Sequence, residues 1–187
     1  MRYPAAETAE KHERILEQAA KLFRERGVSE VSVNDLMKAA HLTHGSFYNH
    51  FQSKQHLVSD CVDYVNASAL QRIASNETTK EGRATFASSY LSVGARDNPG
   101  SYCLMSSLVS ELTRDPSARP AITRYIGAFI NKIATHFRWP RSSEPRRKAI
   151  RMTASLVGAM VLARAVDDEA FSKEILDEVI AQLSGDF

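Results

Sequence analysis

Between Thr43 and Lys54 the chain reads THGSFYNHFQSK, a run whose side chains suit gripping and reading a polyanion. Asn49 can pair bidentately with an adenine edge, and His44 and Ser46 add donors that suit base edges in a major groove. Tyr48 and His50 each carry a donor at the tip of a ring. Lys54 opens a further helix, where its charge would add to the backbone N–H groups and helix dipole facing a phosphate. Phe47 and Phe51 stand four apart, so a short helix here buries one apolar side and offers the rest, with Thr43 placed as its N-cap.

Such a rod needs support from behind. Glu13 to Arg26 sets Ile15, Leu16, Ala19, Leu22 and Phe23 at helical spacing, and Gly27 follows as a stop that tolerates a left-handed turn. Ser32 is the expected N-cap for a second helix with Val33, Leu36, Met37 and Ala40 on one face, and His41-Leu42 turns the chain into Thr43. Three short helices, the last two tightly joined, predict a helix-turn-helix.

The succession Gly27, Ser32-Val33-Asn34-Asp35-Leu36, Ala39-Ala40, Leu42-Thr43, Gly45, Phe47-Tyr48-Asn49-His50-Phe51, Ser53-Lys54 resembles the N-terminal domain of the TetR family of transcriptional regulators. The resemblance covers roughly residues 9 to 60. It implies an all-α, two-domain homodimeric repressor: a three-helix DNA-binding domain over 1–55, and a helical ligand-binding and dimerisation domain over 56–187. It also makes Tyr48 and His50 the pair that contacts the DNA backbone, and places Ser32, Thr43, His44, Gly45, Ser46, Asn49 and Lys54 at the same interface. His41 departs from the pattern, standing where the family commonly has Gly; histidine adopts the left-handed conformation only at some cost. A second departure is charge, since residues 1 to 60 hold eight Lys or Arg and eight Asp or Glu. Any positive potential must then come from arrangement.

Beyond Ser53 the pattern stays helical. One helix is expected from Ser53 to about Ser75, another through Phe86, Tyr90, Leu91 and Val93, and others over Tyr102–Thr113 and Ala121–Phe137. Arg138 to Arg147 reads as a solvated loop. Tyr64, Phe86, Tyr90, Tyr102, Cys103, Met105, Leu108, Tyr125, Phe129 and Trp139 bring rings and sulfur together; by type such residues are more often plain core, and it is the resemblance that implies a ligand pocket among them. Cys103 follows Pro99-Gly100-Ser101-Tyr102 near a helix start, where a dipole can activate a thiol toward an electrophile or oxidant; a buried, inert thiol is the alternative. Glu111 and Asp115 read as surface charges.

In the last third, Ile150, Ala154, Val157, Val161 and Ala165 form one apolar stripe, slimmed by Gly158, and Phe171, Ile175, Leu176, Val179, Ile180 and Leu183 form a second. Two such helices from each of two subunits would close a four-helix bundle on a twofold axis, with Ala154, Val157, Gly158, Val161, Ile175 and Val179 at the dimer interface. Packing within one subunit would satisfy the same stripes.

Composition sets outer bounds. The 187 residues are 43% hydrophobic and 25% charged, with a net charge of +2, too small by itself to argue for nucleic acid or membrane. No apolar run is long enough to span a bilayer and the start lacks a signal peptide's apolar stretch, so a cytoplasmic protein without membrane partners is expected. Cys61 and Cys103 do not make a disulfide framework. His41, His44, His50 and His56 find no Cys or carboxylate cluster to complete a metal site, and no cofactor is expected. No nucleophile with its base and no phosphate-binding glycine loop is recognisable, which argues against an enzyme. The rival reading is a small-molecule or redox sensor with weak or no DNA binding.

Overall fold

The computed structural model describes residues 5–140 and 144–185. Among them are nine α-helices and no strand: α1 (Ala5–Arg26), α2 (Val33–Ala39), α3 (Lys54–Ala74), α4 (Lys80–Tyr90), α5 (Val93–Asp97), α6 (Met105–Leu112), α7 (Arg119–His136), α8 (Pro145–Ala165) and α9 (Glu169–Ser184). Two 3₁₀ segments, His44–Asn49 and Pro99–Ser101, complete the order.

α1 starts well ahead of the apolar repeat. Its first turns are held by ion pairs one helical turn apart, Lys11 with Glu7 at 2.8 Å and Arg14 with Glu10 at 3.0 Å, which leave no apolar signature in the sequence. Gly27 ends it at φ +88°, its N–H bonding to the Phe23 carbonyl at 2.9 Å. Ser32 caps α2 in a full capping box: its hydroxyl accepts from the Asp35 N–H, and the Asp35 carboxylate accepts from the Ser32 N–H at 3.0 Å.

Three expected elements differ. The helix through Phe86 and Val93 is two helices, because Leu91 turns inward and Ser92 caps α5 by accepting from the Ala95 N–H. The helix expected from Tyr102 begins only at Met105, after the Pro99–Ser101 turn leaves Tyr102 extended. The basic loop is shorter than expected: Pro145 opens α8, a first-turn position where a missing N–H costs nothing. Residues 141–143 of that stretch lie outside the described residues.

α3 ties the molecule together, packing on α1 at one end and on α7 along its length. α1 also rests on α6 and on the Pro99–Ser101 turn, while α8 lies among α7, α9 and α6. Phe23, Leu36, Met37, Phe47, Phe51 and Leu57 are essentially fully buried around the first three helices, and Tyr125, Ile133, Met152 and Leu156 anchor the rest. Each such side chain contributes about 1.5–3 kcal/mol through burial.

Candidate nucleic-acid interface and effector cavity

Phe47 and Phe51 are both buried, their ring centroids 5.7 Å apart, and His12 of α1 stacks on Phe51 at 4.5 Å. On the opposite side His44, Gly45, Tyr48 and Asn49 are exposed, Tyr48 at 63%. An aromatic ring that exposed, on a segment anchored by two buried ones, is held out toward a partner or solvent. The segment winds as a 3₁₀ helix rather than the expected α-helix. Thr43 accordingly makes no side-chain cap; its carbonyl instead accepts from the Ser46 N–H at 3.1 Å and the Ser46 hydroxyl at 2.8 Å. Ser46 is half-buried with that hydroxyl engaged, so it presents less than sequence reasoning assigned to it.

His50 is half-buried beside His12, with ring centroids 6.0 Å apart. Burial, then the neighbouring His12 and Lys11, hold its pKa below the ordinary histidine value. His41 takes φ +56° in the turn, the left-handed backbone that glycine would occupy without strain. The Ser32 hydroxyl is committed to Asp35, whose carboxyl it holds below the usual range.

Lys54 does not face solvent as the sequence suggested. Its Nζ donates to the Val28 carbonyl, beside Glu111, because the loop leaving α1 offers an acceptor there and Glu111 supplies the opposing charge. Glu111 is no idle surface charge either. Its carboxylate accepts from the backbone N–H of Val28 at 2.9 Å and of Ser29 at 2.8 Å. Burial works against its charge, but those N–H groups, the Ser29 hydroxyl and Lys54 outweigh it and hold the carboxyl below its ordinary value. A Cβ on Gly27 would come within 2.9 Å of the same carboxylate and push it aside, and the positive φ favours glycine whatever the space. A second clamp lies alongside: the Arg24 guanidinium donates through Nε and a terminal nitrogen to the Gly100 carbonyl, the former at 2.9 Å. Asp115 closes a local turn onto Ser117 at 2.7 and 2.9 Å.

Between α3, α4, α7 and α8 lies a cavity of about 210 Å³. Phe86, Tyr90, Tyr102, Cys103, Tyr125 and Phe129 line it. Tyr64, Met105, Leu108 and Trp139 do not. Tyr64 is turned toward Glu17 and Glu13 of α1, Met105 and Leu108 are core, and Trp139 lies over the Arg83 guanidinium at 4.4 Å. Sequence reasoning missed the polar lining, Arg72, Ser106 and Arg164 among it. The signal for Arg164 was available: it follows Met152, Leu156 and Met160 at four-residue steps on the inward face of α8. Cys103 precedes α6 and is buried, with Sγ 3.9 Å from the Tyr125 hydroxyl.

α8 is apolar on two sides. Ala149, Met152, Leu156, Ala159, Met160 and Ala163 pack inward, whereas Ile150, Val161 and Leu162 are exposed, and Phe171 on α9 is 49% exposed. Of the residues expected at a dimer interface, Ala154 and Val161 are exposed and Val157, Gly158, Ile175 and Val179 half-buried. No group of His, Cys, Asp and Glu among the described residues could hold a metal, and no described helix is long and apolar enough to cross a membrane.

A family profile described as bacterial regulatory proteins, tetR family, matches residues 15–61, which contain the reading segment and both of its supports. Residues 15–61 are therefore similar to the N-terminal portion of tetR-type regulators. Solved tetR-type folds match it end to end. Escherichia coli NemR in its reduced form superposes with a TM-score of 0.78 at 21% identity over 93% of this chain and 95% of that one. A TetR-family regulator from Cytophaga hutchinsonii gives 0.78 at 20% over 98% of each. The curated relatives align over a minor part of their own length, about a quarter to a third. The regulator AcrR of Shigella flexneri is 41% identical over 54 residues, which are 29% of this chain and 25% of that protein. The repressor KstR2 of Rhodococcus jostii is 42% identical over 60 residues, 30% of this chain and 29% of that protein. Regulators of this tetR type are transcription factors rather than enzymes.

Proposed function

We propose that the chain is a ligand-responsive transcriptional repressor that binds a palindromic operator as a homodimer in the cytoplasm. The observation that carries this is the 44–49 segment, polar and exposed in front, with Phe47 and Phe51 buried behind. Residues 1–55 act as the reader and 56–187 as the sensing and dimerising body. Asn49 and His44 reach base edges, and Tyr48 and His50 contact the DNA backbone. Lys54, drawn in toward Val28, serves through its position at the start of α3 more than through its own charge. The repressors among the relatives favour repression over activation.

One short reading segment specifies little, so two must act in register about a twofold axis. The exposed Ile150, Val161, Leu162 and Phe171 on α8 and α9 supply the apolar face for that pairing. An effector in the cavity would shift the population toward a state whose readers no longer match the operator; a complete switch needs a preference on the order of 10⁴-fold between the two states. The clamps made by Arg24 and Glu111 carry that motion, because both bind the end of α1 to the 99–112 stretch that also holds Tyr102, Cys103 and Ser106.

The test is titration of the purified chain onto duplex from its own promoter region at several salt concentrations. Specific binding with a steep salt slope is expected, weakened on the order of 10-fold or more by Asn49→Ala. Absence of binding at low salt would leave the sensor-only reading, which the formally neutral reader and the inward Lys54 favour. In parallel, Val161→Glu is expected to turn a dimer into a monomer in analytical ultracentrifugation.

A further inference from the structure

Resting on the reading of the cavity as an effector site, we propose that its ligand is a small planar aromatic carboxylate. Three observations converge. The first is size and wall: about 210 Å³ bounded by the rings of Phe86, Tyr90, Tyr125 and Phe129. An apolar cavity of about 150 Å³ accepts benzene, so this one accommodates one or two fused rings.

The second is charge. The lining includes two guanidiniums, Arg72 and Arg164, and no carboxylate. Arg164 is half-buried and donates only to neutral oxygens: the carbonyls of Ala95 at 2.8 Å and Arg96 at 3.0 Å, and the carbonyl and hydroxyl of Ser106 and the hydroxyl of Ser107 at 3.0 to 3.4 Å. Those dipoles orient the group without an ion pair, and Asp97 opposes its charge only from a distance. The nearby Asp97 is taken by Arg96 at 2.7 Å. Arg72, at the mouth, forms no ion pair or side-chain hydrogen bond through its guanidinium among the described residues. Behind the wall Arg24 adds a third cation, which among the described residues donates to the Gly100 carbonyl and forms no ion pair. Burial lowers the pKa of both Arg164 and Arg24, and at Arg24 the neighbouring Arg72 adds to it.

The third is a waiting donor. Among the described residues the Tyr90 hydroxyl is buried without a hydrogen-bond partner, and the Tyr125 hydroxyl has only the Cys103 sulfur at 3.9 Å. A buried unmade hydrogen bond is costly, and a ligand oxygen relieves it. A carboxylate accepts from such phenols and answers the arginines at once. A neutral arene leaves both unmet, and an ammonium is repelled.

The experiment is isothermal titration of the full chain with benzoate, 1-naphthoate and 2-naphthoate, each against its own primary amide, which keeps the shape and removes the charge. At least one acid is expected to bind 10-fold or more tightly than its amide. Arg72→Gln is expected to weaken that acid 3- to 10-fold and leave the amide unchanged, whereas Tyr90→Phe is expected to weaken both, since either ligand's oxygen accepts from the phenol. Circular dichroism checks that both variants fold. The proposal is overturned if no acid outbinds its amide, if the preference survives Arg72→Gln, or if Tyr90→Phe leaves both ligands' affinities unchanged. The same acids are then added to the chain bound to promoter duplex. Acid binding without DNA release supports the ligand class and removes the effector-switch reading, so the two fail separately.

Discussion

Replacing Glu111 by alanine tests whether the reader is clamped to the body. The substitution removes two charge-assisted hydrogen bonds, at 2.9 and 2.8 Å, from the amides of Val28 and Ser29. Bonds to a charged group contribute about 1.5–3 kcal/mol when well buried. Glu111 is only half-buried, and water can replace it at both amides, so about 1–2 kcal/mol for the pair is the reasoned loss. That corresponds to roughly 5- to 30-fold faster opening. Amide hydrogen exchange at residues 28 and 29 reads it directly, with core amides of α7 as the internal reference. Glu111→Gln, which keeps one acceptor, should fall between. The pH dependence supplies a second check. The folded carboxyl is held below its ordinary value, so its contribution is fully present above about pH 4.5 and fades as pH falls through the depressed folded value. The difference between wild type and Glu111→Ala should therefore shrink in acid. Exchange at both amides unchanged within twofold at pH 7 would refute the clamp, and with it the route assigned from cavity to reader.

Other substitutions probe the local geometry. His41→Gly relieves a left-handed backbone that costs about 1–2 kcal/mol, offset by the glycine's extra freedom when unfolded, so a net gain of roughly 0.5–1 kcal/mol is expected in urea denaturation. Ser32→Ala breaks the capping box and should cost about 0.5–2 kcal/mol by the same measurement. The His50 imidazole is held below its ordinary value, so the unfolded chain binds the extra proton first and stability falls as pH drops through about 6.5. Melting temperatures at pH 7.5 and 5.5 should show that fall, and His12→Gln, which removes a repelling neighbour, should lessen it.

The helix-turn-helix was legible because its determinants are local. Gly27 at a helix end, the Ser32 cap and the Phe47–Phe51 pair each speak through neighbours within four residues, and the structure places all three as the spacing required. The strained His41 was legible for the same reason, since a turn that wants glycine constrains whatever stands there. What escaped depends on distant partners. The inward turn of Lys54 comes from Val28 and Glu111, and the clamping role of Glu111 from backbone 82 and 83 positions away. Of the cavity, the rings at Phe86, Tyr90, Tyr125 and Phe129 could be guessed from type, yet Tyr64 carries an equally suitable ring and faces α1. Type alone does not tell which way a helix is rotated.

The three-residue winding of His44–Asn49 leaves slack in the chain. At a rise of about 2.0 Å per residue those six residues extend roughly 12 Å, against about 9 Å if wound as an α-helix. Rewinding would shorten the stretch by about 3 Å and rotate Asn49 relative to Ser46, which now sit nearly in line one turn apart. Phe47 and Phe51 pin the segment at two points, so the shortening would draw on the His50–Ser53 link and pull at the first turn of α3. Widening of the coil at one end would thereby pull on the long helix at the other, and a pull on the long helix would run back to the coil.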